Sequence, residues 1–141
     1  MIDDVLINKN ETIKRCISRV NEEYQNNPEN LRNYTKQDSI ILNIQRLCEA
    51  AIDIAMHVVA ELELGVPQNS RDAFEMLNQY QIIDSEMTDN LKAMVGFRNI
   101  AVHDYQKLNL KIVQSIIENE IKNISMFSRI ILDFNKEELK S

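Results

Sequence analysis

The sequence predicts an all-α fold, an up-and-down bundle of four main helices and one short helix. Three observations carry that expectation. Apolar residues recur at spacings of three and four along most of the chain, the signature of helices with one face in a core. Only two glycines and two prolines interrupt 141 residues, too few for the many turns of an all-β fold. Hydrophobic residues make up 44% and charged residues 27%, a globular mix with no mark of disorder. The length suits one domain, residues 1–141, around one sizeable core.

The elements follow in order. Residues 3–26 place Ile13, Cys16, Ile17, Val20 and Tyr24 on one helix face, and Pro28 closes that segment. Thr35 and Asp38 fit the hydroxyl-x-x-acid pattern of a helix start. A long second helix then runs to Leu64, stopped by Gly65 and Pro67. Ser70 is placed to cap a short helix carrying Phe74 and Leu77. Asp84 or Ser85 can cap the next, with Met87, Leu91, Met94 and Val95 facing inward. Asn109 can cap a last long helix with Val113, Ile117, Ile121, Ile124, Ile131 and Phe134 along one stripe.

The second helix has little polar surface. At 100° per residue, Ile44, Cys48, Ala51, Ala55 and Leu62 point one way. Leu47, Ile52, Ile54, Val58 and Val59 widen that sector, with Met56 and Leu42 farther round. A narrow strip of Arg46, Glu49, Asp53 and His57 remains. Such a helix is covered on several sides, either at the centre of the bundle or by a second protomer. The ladder Glu49, Asp53, His57, Glu61 could suggest a metal. Carboxylate bundles repeat Glu-x-x-His pairs on other helices, and this chain offers no second one. Asp53 is instead a candidate to hold an arginine.

Composition also excludes function classes. Cys16 and Cys48 lie in apolar helical patterns without zinc spacing, which suits free thiols in a reducing cytoplasm. The start, MIDDVLINKNE, is too acidic for a signal peptide, and no apolar run reaches the length of a membrane span. The net charge of −6 counts against general nucleic-acid coating. The charge is uneven, however. Residues 92–111 hold Lys92, Arg98, Lys107 and Lys111 against Asp104 alone, so that stretch is +3 and the remainder −9. A chance cluster on a solvated face is one reading. An island that receives a phosphate is the other.

FRNIAVHDY, residues 97–105, sharpens the choice. It crowds Arg98, Asn99, His103 and Tyr105 together in a chain with only two histidines. Asn99 and His103 are four apart and share a helix face. Imidazole moves protons near neutral pH, and guanidinium grips phosphate oxygens with two hydrogen bonds. Together they suit a phosphodiester reaction in RNA, in a scheme that asks for no cofactor and no metal. The bland alternative pairs Arg98 with Asp104 on the surface and uses His103 to cap the helix end. One Arg and one His make a thin catalytic set, which a twofold homodimer would double.

At these residues the sequence resembles the HepT-like family of the HEPN superfamily. RNIAVHDY matches that family's R-x4-H-x-Y signature, and DSIILNIQRLCEAAIDIAMHVV and GVPQNSRDAFEML are similar to the segments that precede it. The resemblance implies a helical homodimer acting as a metal-independent endoribonuclease on mRNA or tRNA. Arg98 and His103 would then be catalytic, with Asn99 in support; Asp53, from the polar strip of the second helix, is the other supporting candidate. It also implies a nucleotidyltransferase antitoxin of the MntA kind that silences the toxin by AMPylation of Tyr105, in a type VII toxin–antitoxin pair. Lys92, Lys107 and Lys111 are candidate contacts for RNA phosphates. A non-catalytic binding subunit of a small nucleotidyltransferase is the alternative, and a purely structural helical adaptor is a third.

Overall fold

The structure, a computed structural model, describes residues 3–140, with side chains through residue 137. Met1, Ile2 and Ser141, which belong to the expected 1–141 unit, lie outside the described residues. Six α-helices are present: α1 Asp4–Tyr24, α2 Tyr34–Glu61, α3 Ser70–Gln79, α4 Ser85–His103, α5 Leu110–Ser115 and α6 Ile121–Lys140. No strand occurs among the described residues. The α5 and α6 helices continue one another through a wide π turn, Ile116–Glu120, so the expected last helix is a single interrupted rod. Four long elements and the short α3 therefore make the bundle.

The α2 helix is its centre. It packs against α1, α3, α4 and α6. Ile40, Ile44, Leu47 and Ala55 are fully buried, and Ile54 and Val59 almost so. This answers the question left by its narrow polar strip: other helices of the same chain cover its apolar sector. Leu42, at the margin of that sector, stays exposed. Apolar burial stabilises at about 25 cal/mol per Å², so a helix covered this fully is the main source of stability.

Local chemistry sets the helix ends, in places one or two residues from where the sequence pattern puts them. Asp3 caps α1 by accepting from the Val5 and Leu6 amides. That helix closes through left-handed Gln25 and Asn26, whereas Pro28 opens a 3-10 turn, Pro28–Arg32, capped by Asn27. Asn33, not Thr35, caps α2 by accepting from the Lys36 amide. Asn69, not Ser70, caps α3. The α2 helix ends at Glu61 rather than Leu64, with the turn to Gly65 passing through left-handed Glu63. Asp84 and Asn109 cap α4 and α5 as the sequence suggests. Asparagine wins repeatedly because its short amide oxygen reaches an orphan amide as well as a hydroxyl does.

Tyr24 ties the end of α1 to the π turn between α5 and α6. Its ring is buried, and its hydroxyl donates to a Glu118 carboxylate oxygen on the π turn. The extra residue of a π turn swings a side chain out of the usual helical register, which is how Glu118 comes to meet it. Burial first, then the hydrogen bond and charge of Glu118, push the Tyr24 phenol up to about 12.

A group held protonated in the folded state stabilises that state below its unfolded pKa and loses this contribution as pH rises through the folded value. Stability measured by urea unfolding is therefore expected to fall as pH rises from about 10 to about 12. Tyr24→Phe should remove part of that decline while lowering stability at neutral pH. An alkaline decline of unchanged size in Tyr24→Phe would contradict the assignment.

Candidate functional site

The chemistry-bearing residues cluster on the second half of α4 and the turn that follows it. Leu91, Met94, Phe97 and Ala101 are buried and fix the helix against the core. This leaves Arg98 and Asn99 half-buried and His103, the last residue of α4, exposed. Asp104 breaks the helix with φ −154° and ψ 59°, and its amide still donates to the Ile100 carbonyl. A single 3-10 turn, Tyr105–Lys107, then carries Tyr105 back toward α2.

Arg98 is held at both ends. Its Nη1 donates to Asn99 Oδ1 at 2.8 Å. Its Nε faces Glu49 Oε1 of α2 at 4.0 Å, beyond hydrogen-bond reach. That Nε is buried and has no hydrogen-bond partner. A buried donor left unsatisfied costs about 1–3 kcal/mol, which the nearby Glu49 carboxylate offsets only in part. Beneath it lies Cys48, whose thiol burial pushes up to about 12 despite the opposing charge of Arg98. The thiol stays protonated at neutral pH and is no nucleophile.

Asn99 and His103 lie on one face of α4, four residues apart. Lys92 lies on nearly the same face but gives its ammonium to Glu75 of α3 at 2.5 Å. The surface-pair reading of the basic stretch does not hold: Asp104 pairs with Lys107 at 3.1 Å, not with Arg98. Lys107 and Lys111 rim an apolar groove of about 580 Å³ beside Ile100 and Ile112. Ile100 is two residues from Arg98, or about 200° round the helix, so this groove is on the far side of α4.

Tyr105 meets Asp38. Its hydroxyl donates to Asp38 Oδ1 at 2.5 Å, linking the turn after α4 to the first turns of α2. Burial, then the hydrogen bond and charge of Asp38, raise the phenol above its ordinary value. The residue remains 38% exposed.

The polar strip of α2 is divided among separate partners. Glu49 stands by Arg98, while Asp53 accepts from Lys9 Nζ of α1 at 2.9 Å. The expectation that Asp53 holds an arginine is thus corrected: the carboxylate one helical turn earlier faces the guanidinium. His57 Nε2 lies 2.5 Å from Asp3 Oδ2. Burial raises the Asp3 carboxyl, but the His57 hydrogen bond and the Val5 amide outweigh it and leave it lowered.

A family profile described as "Ribonuclease HepT-like" matches residues 13–131, which include all of α2, α3 and α4. The chain belongs to the HepT-like ribonuclease family. It is 48% identical to the "mRNA nuclease HepT" of Shewanella oneidensis over 92% of this chain and 98% of that protein. It is 32% identical to a "Putative RNase" of Archaeoglobus fulgidus over 67% of this chain and 70% of that one. A crystal structure of a toxin–antitoxin with AMP-PNP superimposes with a TM-score of 0.88, at 48% identity, covering 92% of this chain and 98% of that chain. A tri-AMPylated Shewanella oneidensis HEPN toxin in complex with an MNT antitoxin superimposes with a TM-score of 0.86 at the same identity, covering 92% and 97%.

Two residues of this HepT-like site carry roles that sequence reasoning had not given them. Glu49 was visible as one rung of a ladder, and Asp38 as a helix-start residue. Neither spacing says which side chain from another helix will meet them. Because Asn33 takes the capping role, Asp38 is free to engage Tyr105.

Asp38→Asn is expected to move the Tyr105 phenol titration part of the way back to its ordinary pH, since burial, the larger cause, persists. NMR titration of the tyrosine Cζ carbons reads this directly. A Tyr105 titration identical to that of the parent would contradict the contact.

Proposed function

We propose that this chain is the toxin of a type VII toxin–antitoxin pair, an endoribonuclease that uses Arg98 and His103 and is silenced by AMPylation of Tyr105. The observation that carries the reading is the guanidinium of Arg98, fixed by Asn99 and left with a buried, unsatisfied Nε, on the same helix as the exposed His103. The mRNA and tRNA nucleases among its relatives support RNA as the substrate.

In the reaction, the ribose 2′-oxygen attacks the adjacent phosphorus as the bond to the 5′-oxygen breaks. A neutral imidazole takes the 2′-hydroxyl proton, and a protonated one returns a proton to the departing 5′-oxygen. Arg98 stabilises the charge gathering on the phosphoryl oxygens by a paired hydrogen bond that the substrate's ground state uses less fully. Two imidazoles are needed, and a homodimer that brings two α4 ends together supplies them, one His103 from each copy. Asn99 keeps the guanidinium aimed. Glu49 takes the supporting role expected of Asp53.

Regulation acts at Tyr105. An MntA-like nucleotidyltransferase presents ATP, the phenolic oxygen attacks its α-phosphorus, and pyrophosphate leaves. The phenolic proton passes to Asp38, which already accepts its hydrogen bond. The added phosphate brings negative charge to within a few residues of Arg98 and His103, where it repels RNA. The whole chain acts as one unit in the cytoplasm, where buried Cys16 and Cys48 remain thiols. Among the described residues no helix is long and apolar enough to cross a membrane.

Substitution of His103 by Ala is expected to lower RNA cleavage at least ~100-fold and to abolish growth arrest when the chain is expressed alone. As an exposed residue, it should change stability by less than about 0.5 kcal/mol. Cleavage assays with circular dichroism on the same sample check both. A folded His103→Ala protein that cuts RNA at the parent rate would refute the reading.

A further inference from the structure

The cations that sequence reasoning assigns to RNA are mostly occupied. Lys92 is bound to Glu75 and Lys107 to Asp104. Three cations without a carboxylate among the described residues gather at another place. A cleft of about 420 Å³ runs between α1 and α2, floored by Cys16 and Ala50. Arg15 and Arg19 of α1 border one side and Arg46 of α2 the other. All three are exposed and none makes an ion pair or hydrogen bond among the described residues.

This arrangement is costly for a folded protein standing alone. Arg15 and Arg19 are four residues apart, and like charges at that spacing repel by a few tenths of a kcal/mol. Arg46 faces them across the cleft. All three guanidiniums line the same cleft, and each opposes the burial that raises the Cys16 thiol on its floor. The two carboxylates that border the cleft are already engaged, Asp53 by Lys9 and Glu49 toward Arg98. The chain carries 22 acidic residues, so leaving three arginines unpaired in one groove is not for want of partners.

The cleft also adjoins the site. Glu49 lines it and also faces Arg98 Nε at 4.0 Å. Guanidiniums i and i+4 on α1 rise about 6 Å along the helix axis, a row rather than a point. A row of planar, always-charged donors suits successive phosphates of an extended strand better than a single small anion.

We propose that Arg15, Arg19 and Arg46 form the track that holds the RNA backbone beside the scissile phosphate, in the cleft between α1 and α2. The track rests on the ribonuclease reading and adds where the substrate lies. It also explains how a protein of net charge −6 binds a polyanion: one groove is positive while the rest of the surface repels nonspecific strands.

The test uses a fluorescein-labelled single-stranded RNA with 2′-O-methyl groups, which cannot be cut, and reads anisotropy over a range of KCl concentrations. For single strands the slope of log K against log salt changes by about 0.7 per phosphate contact, so Arg15→Gln/Arg19→Gln/Arg46→Gln should flatten it by about 2. Arg46→Gln alone should flatten it by about 0.7. Arg129→Gln, an exposed change on α6 outside the cleft lining, should leave the slope near that of the parent. On cleavable RNA the triple variant should raise KM at least ~10-fold and hold kcat within about threefold, as expected where uniform binding is lost. A parent-like slope in the triple variant overturns the track. So does a slope change accompanied by an altered oligomeric mass in sedimentation, which would make the cleft a protein interface. In either case RNA cutting by the parent leaves the ribonuclease reading standing; a parent that neither binds nor cuts RNA ends both.

Discussion

A guanidinium fixed by its own helix and left unsatisfied at one nitrogen is the constraint around which this molecule is arranged. Arg98 stands at the edge of the face that Phe97, Met94 and Leu91 lock into the core. Its Nη1 is committed to Asn99, while its Nε has no acceptor within reach. In the proposed reaction this restrained guanidinium is the group that meets the phosphate. Charge that needs no rearrangement when the reaction begins is worth more than the same charge on a mobile side chain.

The second helix makes this possible. A single element buries its apolar sector against four others and spends its few polar residues on links to them. Glu49 stands by Arg98, Asp53 binds Lys9, and Asp38 binds Tyr105. The proposed catalytic group and the proposed regulatory group therefore hang on the same rod, some three helical turns apart. In the proposed regulation, a modification at the Tyr105 end would place new charge beside a site whose own charge is already fixed.

Much of this was legible in the sequence. The apolar spacing gave the helices, and the scarcity of glycine and proline gave their length. Asp84 and Asn109 marked their caps correctly because an N-cap is a contact between near neighbours. The same locality explains the errors. Asn33 and Asn69 competed with Thr35 and Ser70 for amides two or three residues away, and pattern alone does not rank them. Residues that act through another helix were the least legible. Asp53 and Glu49 look alike in a ladder, and which one faces Arg98 depends on how α4 crosses α2. The free arginines of α1 and α2 are dispersed in sequence, whereas the lysines near Arg98 draw the eye and are mostly paired. The π turn was missed as well: the buried residues step from Ile116 to Ile121, five apart, where a regular stripe takes Ile117 and Ile121, four apart.

If the geometry of Arg98 is what matters, its charge alone will not do. The most direct measurement is single-turnover cleavage of a short RNA by Arg98→Lys at saturating protein, with binding of an uncuttable analogue measured alongside. A lysine keeps the positive charge but loses the planar pair of donors. The expected result is a rate lowered by about 10²–10³, with affinity within roughly threefold of the parent. A folded Arg98→Lys protein that cleaves at the parent rate would contradict the account.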